Sequence, residues 1–440
     1  METIFETKAT VASPVIGGEA DIAVTEDELT LTTLFDTAAV AWADVAALAF
    51  ADYAVTVRTL GGDAYTLTKL GADGEPLYHH MLSAYGDKVR KAFFVSGEAA
   101  LKTKGDVHDR RGVPIEVYNN CILSLPPDLN ARRLPLCFLT GFAEEDFTVK
   151  ATVLDGSVTT YAKLGYDHAP FVKAVSDAVK ALREKTVEQI LEIDPSLSGA
   201  QSAQLARLVP EGAAAPMGAL AAIAPSFAAA LEAKLAESRA AETYEAFKAM
   251  SGAENICVGF RKKGGRQDAT PTGGIADAIG GLMGGDGGGI ADALGGLLGG
   301  DGGGIADVVG GKFGSGRPET AAPAGDAYDL WLIAPAPSGD ACAVEFAGAP
   351  GEAAATFVYR FAVPWDSFRV RLNMALEAIA FKREVIRLTE DELAKPEYAL
   401  YRMAAARNDA LQLVRAGFVG RAIHSSMEAW ARQLSELFAG

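Results

Sequence analysis

Five histidines and four cysteines are the residues of this 440-residue chain best suited to chemistry. His79-His80, His108, His168 and His424 lie outside any G-x-S-x-G or H-E-x-x-H pattern, and no paired carboxylates accompany them at a fixed spacing. Nothing in the spacing assembles a general acid-base pair, an activated nucleophile or a zinc-ligand set. Cys121, Cys137, Cys257 and Cys342 are far apart, form no CxxC and sit among apolar neighbours, so they read as buried free thiols. Asp73 and Asp167 each stand where a helical pattern begins, and a carboxylate there serves the free N–H groups of a first turn. The expectation is a protein without catalytic residues, metal or cofactor. An enzyme with an unfamiliar site is the alternative that this leaves open.

Two basic clusters offer binding chemistry instead. One runs Arg261-Lys262-Lys263-Gly264-Gly265-Arg266, the other His108-Asp109-Arg110-Arg111. Both are short, and the chain carries 57 acidic against 40 basic residues, a formal charge of −17. Phosphate backbones reward clustered Lys and Arg, so a nucleic-acid partner is not expected, and an anionic membrane is a secondary expectation only. After the first cluster comes a glycine-rich tract with a 15-residue unit in three copies, beginning Gly274-Ile275-Ala276-Asp277, Gly289-Ile290-Ala291-Asp292 and Gly304-Ile305-Ala306-Asp307. Glycine content predicts disorder. Yet Ile275, Ala278, Ile279, Leu282 and Met283 recur at helical spacing, which predicts transient sticky turns that dock on the protein itself or on another copy. A calcium β-roll does not fit, because the period is 15 rather than nine and its second aspartate is missing. Arg261, Lys262, Lys263, Arg266, Ile275, Ile290 and Ile305 are therefore the candidate interaction residues.

The elements that position these residues emerge from a duplication. Adding 94 to the residue number lays 29–77 on 123–171 without a gap. Leu29 meets Leu123, Leu31 meets Leu125, Asp52 meets Asp146, Val55 meets Val149, and Gly62 meets Gly156. The series ends in K-L-G-x-D-x-x-P, with Lys69, Leu70, Gly71, Asp73 and Pro76 over Lys163, Leu164, Gly165, Asp167 and Pro170. Within copy one, segments 29–33, 38–50, 54–60 and 64–70 alternate like strands, and Gly61-Gly62-Asp63 supplies a hairpin turn. From Glu75 the period becomes helical, with Leu77, Met81, Leu82, Tyr85 and Val89 on one face; Phe171, Val175, Val179 and Leu182 repeat this in copy two. A sheet wet on one face needs its other face covered, and the terminal helix is the cover.

Short antiparallel strands, the segment Val40-Ala41-Trp42-Ala43-Asp44-Val45, a tight last hairpin and one C-terminal amphipathic helix resemble the pleckstrin-homology-like superfold and its GRAM relatives over residues 1–95 and 99–188. The resemblance implies a small β-barrel capped by a helix and a role in recognition. The family's basic lipid-binding hairpin has no counterpart here, since Glu26, Asp27 and Glu28 occupy that region, so protein recognition is the expected use.

Residues 186–252 change to Ala, Leu, Glu and Lys at helical spacing, broken by Pro195, Pro210, Pro216 and Pro225, with the best helix over 226–250. Strands follow at 255–260, 328–332, 342–346 and 356–361, then an amphipathic helix from Trp365. At 440 residues the chain exceeds the roughly 250–300 at which one core stops growing. The expected class is α+β: repeated small antiparallel sheet or barrel domains, each with a C-terminal helix, joined by a helical linker. The expected division is 1–98, 99–188, a helical linker 189–252, a diverged third copy 253–390 carrying the insertion 264–326, and C-terminal helices 391–440. The N-terminus is neither basic nor followed by an apolar core, and no apolar run of about 18 residues occurs. A cytoplasmic scaffold that binds a protein partner and self-associates is the functional expectation, with peripheral membrane association through the Gly-rich repeats as its rival.

Overall fold

The computed structural model describes residues 2–262, 328–347 and 355–439. Thr3–Ala12 (β1) and Gly17–Thr25 (β2) pair antiparallel and turn Ala9, Val11, Ala20, Ile22 and Val24 inward. Glu28–Thr32 (β3), Thr37–Ala41 (β4), Val45–Ala51 (β5), Ala54–Thr59 (β6) and Ala64–Thr68 (β7) complete a seven-stranded antiparallel sheet in the order β4-β3-β2-β1-β7-β6-β5. Leu29 and Leu31, then Val55 and Val57, are fully buried at alternate positions, the period that a half-buried sheet requires. Gly74–Ala92 (α1) lays Leu77, Met81, Tyr85 and Val89 into the same core.

The second sheet repeats the plan. Leu101–Val107 (β8), Arg110–Val117 (β9), Cys121–Ser124 (β10), Arg132–Pro135 (β11), Leu139–Glu145 (β12), Thr148–Val153 (β13) and Val158–Ala162 (β14) pair in the order β11-β10-β9-β8-β14-β13-β12, and His168–Ile193 (α2) follows. Backbone geometry repeats too. Asp52-Tyr53 and Asp146-Phe147 all have positive φ, so each forms a hairpin turn whose twist matches its flanking strands. Lys69 and Gly71 at φ 58° and 57° turn the chain from sheet to helix, and Lys163 and Gly165 do so at 53° and 59°.

Three local expectations are corrected. Segment 38–50 is not one strand: Trp42–Asp44 is a 3₁₀ turn between β4 and β5, where the Trp42 indole N–H donates to Thr25 O at 3.0 Å. Asp73 and Asp167 do not cap helix N–H groups. Their carboxylates accept from Thr7 Oγ1 and Thr103 Oγ1, each at 2.7 Å, and so tie each helix entry to the first strand of its sheet. The helix expected over 226–250 is two, because the Ser238 side chain donates to Leu235 O and accepts from Ala240 N, competing with helical bonding.

Gly199–Leu208 (α3), Met217–Ile223 (α4), Pro225–Ala236 (α5) and Ala241–Ser251 (α6) lead to the third sheet. Ala215–Pro216 (β15), Cys257–Lys262 (β16), Tyr328–Pro335 (β17), Ala341–Ala347 (β18), Ala355–Arg360 (β19) and Phe418–Ile423 (β20) pair antiparallel in plain sequential order, unlike the first two sheets. This sheet extends outside 253–390, since β15 pairs with β16 and β20 with β19. Residues 418–423, inside the stretch 391–440 expected to be helical, form that last strand; Gly417 allows it, because a Cβ there would lie 2.5 Å from Arg360 O. Trp365–Ala378 (α7), Glu384–Arg387 (α8), Glu390–Leu393 (α9), Ala399–Ala406 (α10), Asp409–Gly417 (α11) and Met427–Ala439 (α12) complete the described chain. Its inner strands are buried on both faces, with Phe227, Phe247 and Trp430 in the core on one side and Phe368, Leu372 and Leu411 on the other. The protein is α+β, with three antiparallel sheets among the described residues.

Buried ion pairs join the parts. Arg90 on α1 holds Glu116 on β9 through two bonds of 2.9 and 2.8 Å. Burial raises the Glu116 pKa, but hydrogen bonds from Arg90 and Tyr118 outweigh that and hold it below the ordinary carboxylate range. Arg133 on β11 grips Glu377 on α7 at 2.5 and 2.6 Å.

Candidate functional site

The outer edge of the same strand occurs twice in the fold, in different surroundings. In the first sheet that edge is β5. Leu48 N–H donates to Pro127 O at 2.9 Å, and Ala47 forms an antiparallel bridge with Asp128. The connection between β10 and β11 is a turn, closed by Asp128 N–H to Pro126 O and Ala131 N–H to Asp128 O, that meets β5 through this one bridge and one bond. Behind it, the Tyr85 hydroxyl on α1 donates to Asp128 O at 3.0 Å. Burial raises the Tyr85 pKa above its ordinary value. Arg407, 1% exposed, closes the crevice by donating to Val45 O at 3.1 Å, Tyr85 Oη at 2.8 Å and Met403 O at 3.2 Å.

In the second sheet the equivalent edge is β12, with Gly141 for Ala47, Phe142 for Leu48, Val175 for Met81 and Val179 for Tyr85 at the same offset of 94. The register matches as well, since Phe142 pairs with Ala151 as Leu48 pairs with Val57. Among the described residues no segment pairs with the outer edge of β12, and Phe142 N–H has no acceptor there. A groove of about 690 Å³ runs along it, walled by Phe142 on the strand, Val175, Val179 and Val187 on α2, and Ala206 on α3. A second hollow of about 390 Å³ shares Thr140, Val179 and Arg183 with it and reaches Leu154 and Pro210. The rim is of mixed sign: Lys180, Arg183 and Arg207 stand there with Glu184 and Glu188, and neither arginine makes an ion pair among the described residues. An uncovered strand edge beside an apolar helix face can accept an extended peptide: main-chain bonds hold it, and the apolar wall selects its side chains.

No protein-family model matches the chain, and no curated protein matches it. Among solved structures it is similar to one described as "Structure of the Spt16D Pob3N heterodimer", with 10% sequence identity, 35% of this chain and 87% of that chain covered, and a TM-score of 0.17.

The residues expected to interact are placed differently. Arg261 lies over the Phe381 ring, 5.2 Å from its centroid, and Lys262 pairs with Glu192 at 2.7 Å, so these two are engaged within the fold. Lys263, Arg266, Ile275, Ile290 and Ile305 lie outside the described residues. In the other cluster, Arg110 pairs with Asp128 at 2.5 Å. The histidines are dispersed: His80 stacks on Phe5, His168 lies 3.3 Å from Glu144, and His424 lies 3.1 Å from Glu345, beneath the Trp430 ring. Thr356 Oγ1 donates to Glu345 and lies 3.2 Å from His424 Nε2, and it is fully buried, which denies it access to a substrate. Burial pushes the Cys121 thiol up to about 11 and Cys257 to about 12, and raises Cys137 and Cys342 as well, so none is a thiolate nucleophile at neutral pH. Among the described residues no cluster of three or more His, Cys, Asp or Glu is placed to hold a metal, and no helix is long and apolar enough to cross a membrane.

Sequence reasoning missed the groove. The available signal was the change along the duplicated helix, where Tyr85 and Val89 of copy one become Val179 and Arg183 in copy two. It marks a face that is filled in one copy and trimmed in the other.

Proposed function

We propose that this chain is a non-catalytic interaction protein whose tandem pleckstrin-homology-like units, residues 1–98 and 99–188, recognise protein segments, with the second unit's β12–α2 groove as the binding site for a partner. The shared strand order and the helix after each sheet support the pleckstrin-homology-like, helix-capped barrel reading. The observation that carries the function is the pair of edges: β5 holds a turn of this chain through a bridge and a backbone hydrogen bond, and β12 presents the same backbone beside an open apolar groove. The partner segment pairs its backbone with the β12 edge and carries apolar residues to meet Val175 and Val179, inside a rim that mixes Lys180, Arg183 and Arg207 with Glu184 and Glu188. A cytoplasmic setting suits four free cysteines, none of them in a disulfide.

Panning a random peptide library against the full chain tests this. Selected peptides are expected to bind wild type and to lose about tenfold or more on Val179→Glu, since a charge in the apolar wall is left unpaired. N-methylation of alternate peptide amides is expected to abolish binding in one register and spare it in the other. Peptides indifferent to both changes would contradict the proposal.

A further inference from the structure

We infer that the β12–α2 groove takes the β3–β4 turn of a second copy of this chain, so that the protein associates head to tail; this rests on the groove reading above. The contact between the first two units is heterologous, because the β10–β11 connection of the second meets the β5 edge of the first. A heterologous contact always leaves two unmatched ends. One is the β12 edge. The other is the first unit's equivalent of the β10–β11 connection, the turn Thr33-Leu34-Phe35-Asp36, which corresponds to Pro127-Asp128-Leu129-Asn130 at the offset of 94.

That turn is built to be presented. Thr33 N–H and Oγ1 both donate to Asp36 O, at 2.8 and 3.1 Å, and Thr33 Oγ1 accepts from Asp36 N–H at 3.0 Å, which closes the turn on itself. Leu34 and Phe35 are 86% and 88% exposed at its tip and contribute nothing to the first core. A preordered apolar tip loses little freedom on docking. Pro127 O accepts from Leu48 N–H in the existing contact. Its equivalent, Thr33 O, has no backbone donor among the described residues, and Phe142 N–H, the equivalent of Leu48 N–H, has no acceptor there. Repeating the internal contact between two molecules joins these groups and brings the apolar tip Leu34-Phe35 to the edge of the groove beside Phe142. An unpaired backbone acceptor and an exposed apolar tip on one end match an unpaired donor and an open apolar groove on the other, and a second copy supplies both.

Sedimentation velocity of the full chain over a rising concentration series tests this. Wild-type mass is expected to climb past the dimer. The double variant Leu34→Asp/Phe35→Asp and the single variant Val179→Glu are each expected to weaken association about thirtyfold or more and to sediment as monomers. An equimolar mixture of the two is expected to form a dimer and nothing larger, because one partner keeps only a working groove and the other only a working turn; this recovery also shows that both variants are folded. A monomeric wild type, turn variants that associate like wild type, or a mixture that stays monomeric would each overturn the inference. If groove-selected peptides still bind a monomeric wild type and lose binding on Val179→Glu, the groove reading stands and only self-association falls; if neither occurs, both fall. If wild type is monomeric and associates once residues 264–326 are replaced by a short linker, the chain's own segment is the occupant and the second copy is overturned.

Discussion

Replacing Glu377 with alanine is expected to cost about 3–5 kcal/mol of stability, the largest effect of any single substitution at a charged residue here. Arg133 is 3% exposed along its side chain and Glu377 14%, and their two bonds of 2.5 and 2.6 Å form the polar link between β11 and α7. The glutamate strongly favours the charged form of Arg133, although burial opposes it. Removing the carboxylate leaves a guanidinium that cannot shed its proton in an apolar setting beside Cys121. The contrast that identifies this cause is the double variant Arg133→Met/Glu377→Leu. It removes both charges at similar volume and is expected to lie within about 1 kcal/mol of wild type. Urea midpoints for the three proteins decide the matter: a single and a double variant equally unstable would assign the loss to packing rather than to an orphaned charge.

Arg407→Ala is expected to destabilise by about 2–4 kcal/mol, through a buried cavity and three polar groups left without their donor. Val45 O, Met403 O and Tyr85 Oη all receive hydrogen bonds from this one side chain, which reaches them from the loop after α10. The loss is expected to be local. The β5–α1 crevice opens, and the Pro127–Asp128 segment loses the neighbour that backs it. Lysine is not expected to rescue the variant, because a single ammonium does not reproduce a planar fork spanning acceptors on three elements. An Arg407→Lys protein with the wild-type urea midpoint would refute this account of how the first groove is closed.

The duplication was legible because backbone geometry had fixed its residues. Lys69 and Gly71, with Lys163 and Gly165, sit in left-handed conformations at the sheet-to-helix turn, and Asp73 and Asp167 repeat the same bond to the first strand. The first hairpin of each unit was less readable, since Thr7 and Thr103 are 96 apart while their aspartate partners are 94 apart. The third sheet was read only in part. β15 is two residues long and lies far from the strand it pairs with, and β20 joins only after the helices, so local periodicity carries neither pairing. The groove escaped for a related reason. Its wall uses ordinary valines, and what distinguishes it is the missing neighbour on β12, a property of tertiary placement rather than of any motif. Conversely, Arg261 and Lys262 stood out as charge, yet Phe381 and Glu192 engage them from elements distant in sequence.

Residue-resolved hydrogen exchange of the dilute, full-length protein compares the two edges directly. Leu48 N–H is expected to exchange slowly, held by Pro127 O, while Phe142 N–H exchanges like an unprotected edge amide and slows when a groove-selected peptide is added. A Phe142 amide already as protected as Leu48 in the dilute protein would mean that the second edge is covered like the first, and the claim of an open binding strand would be contradicted.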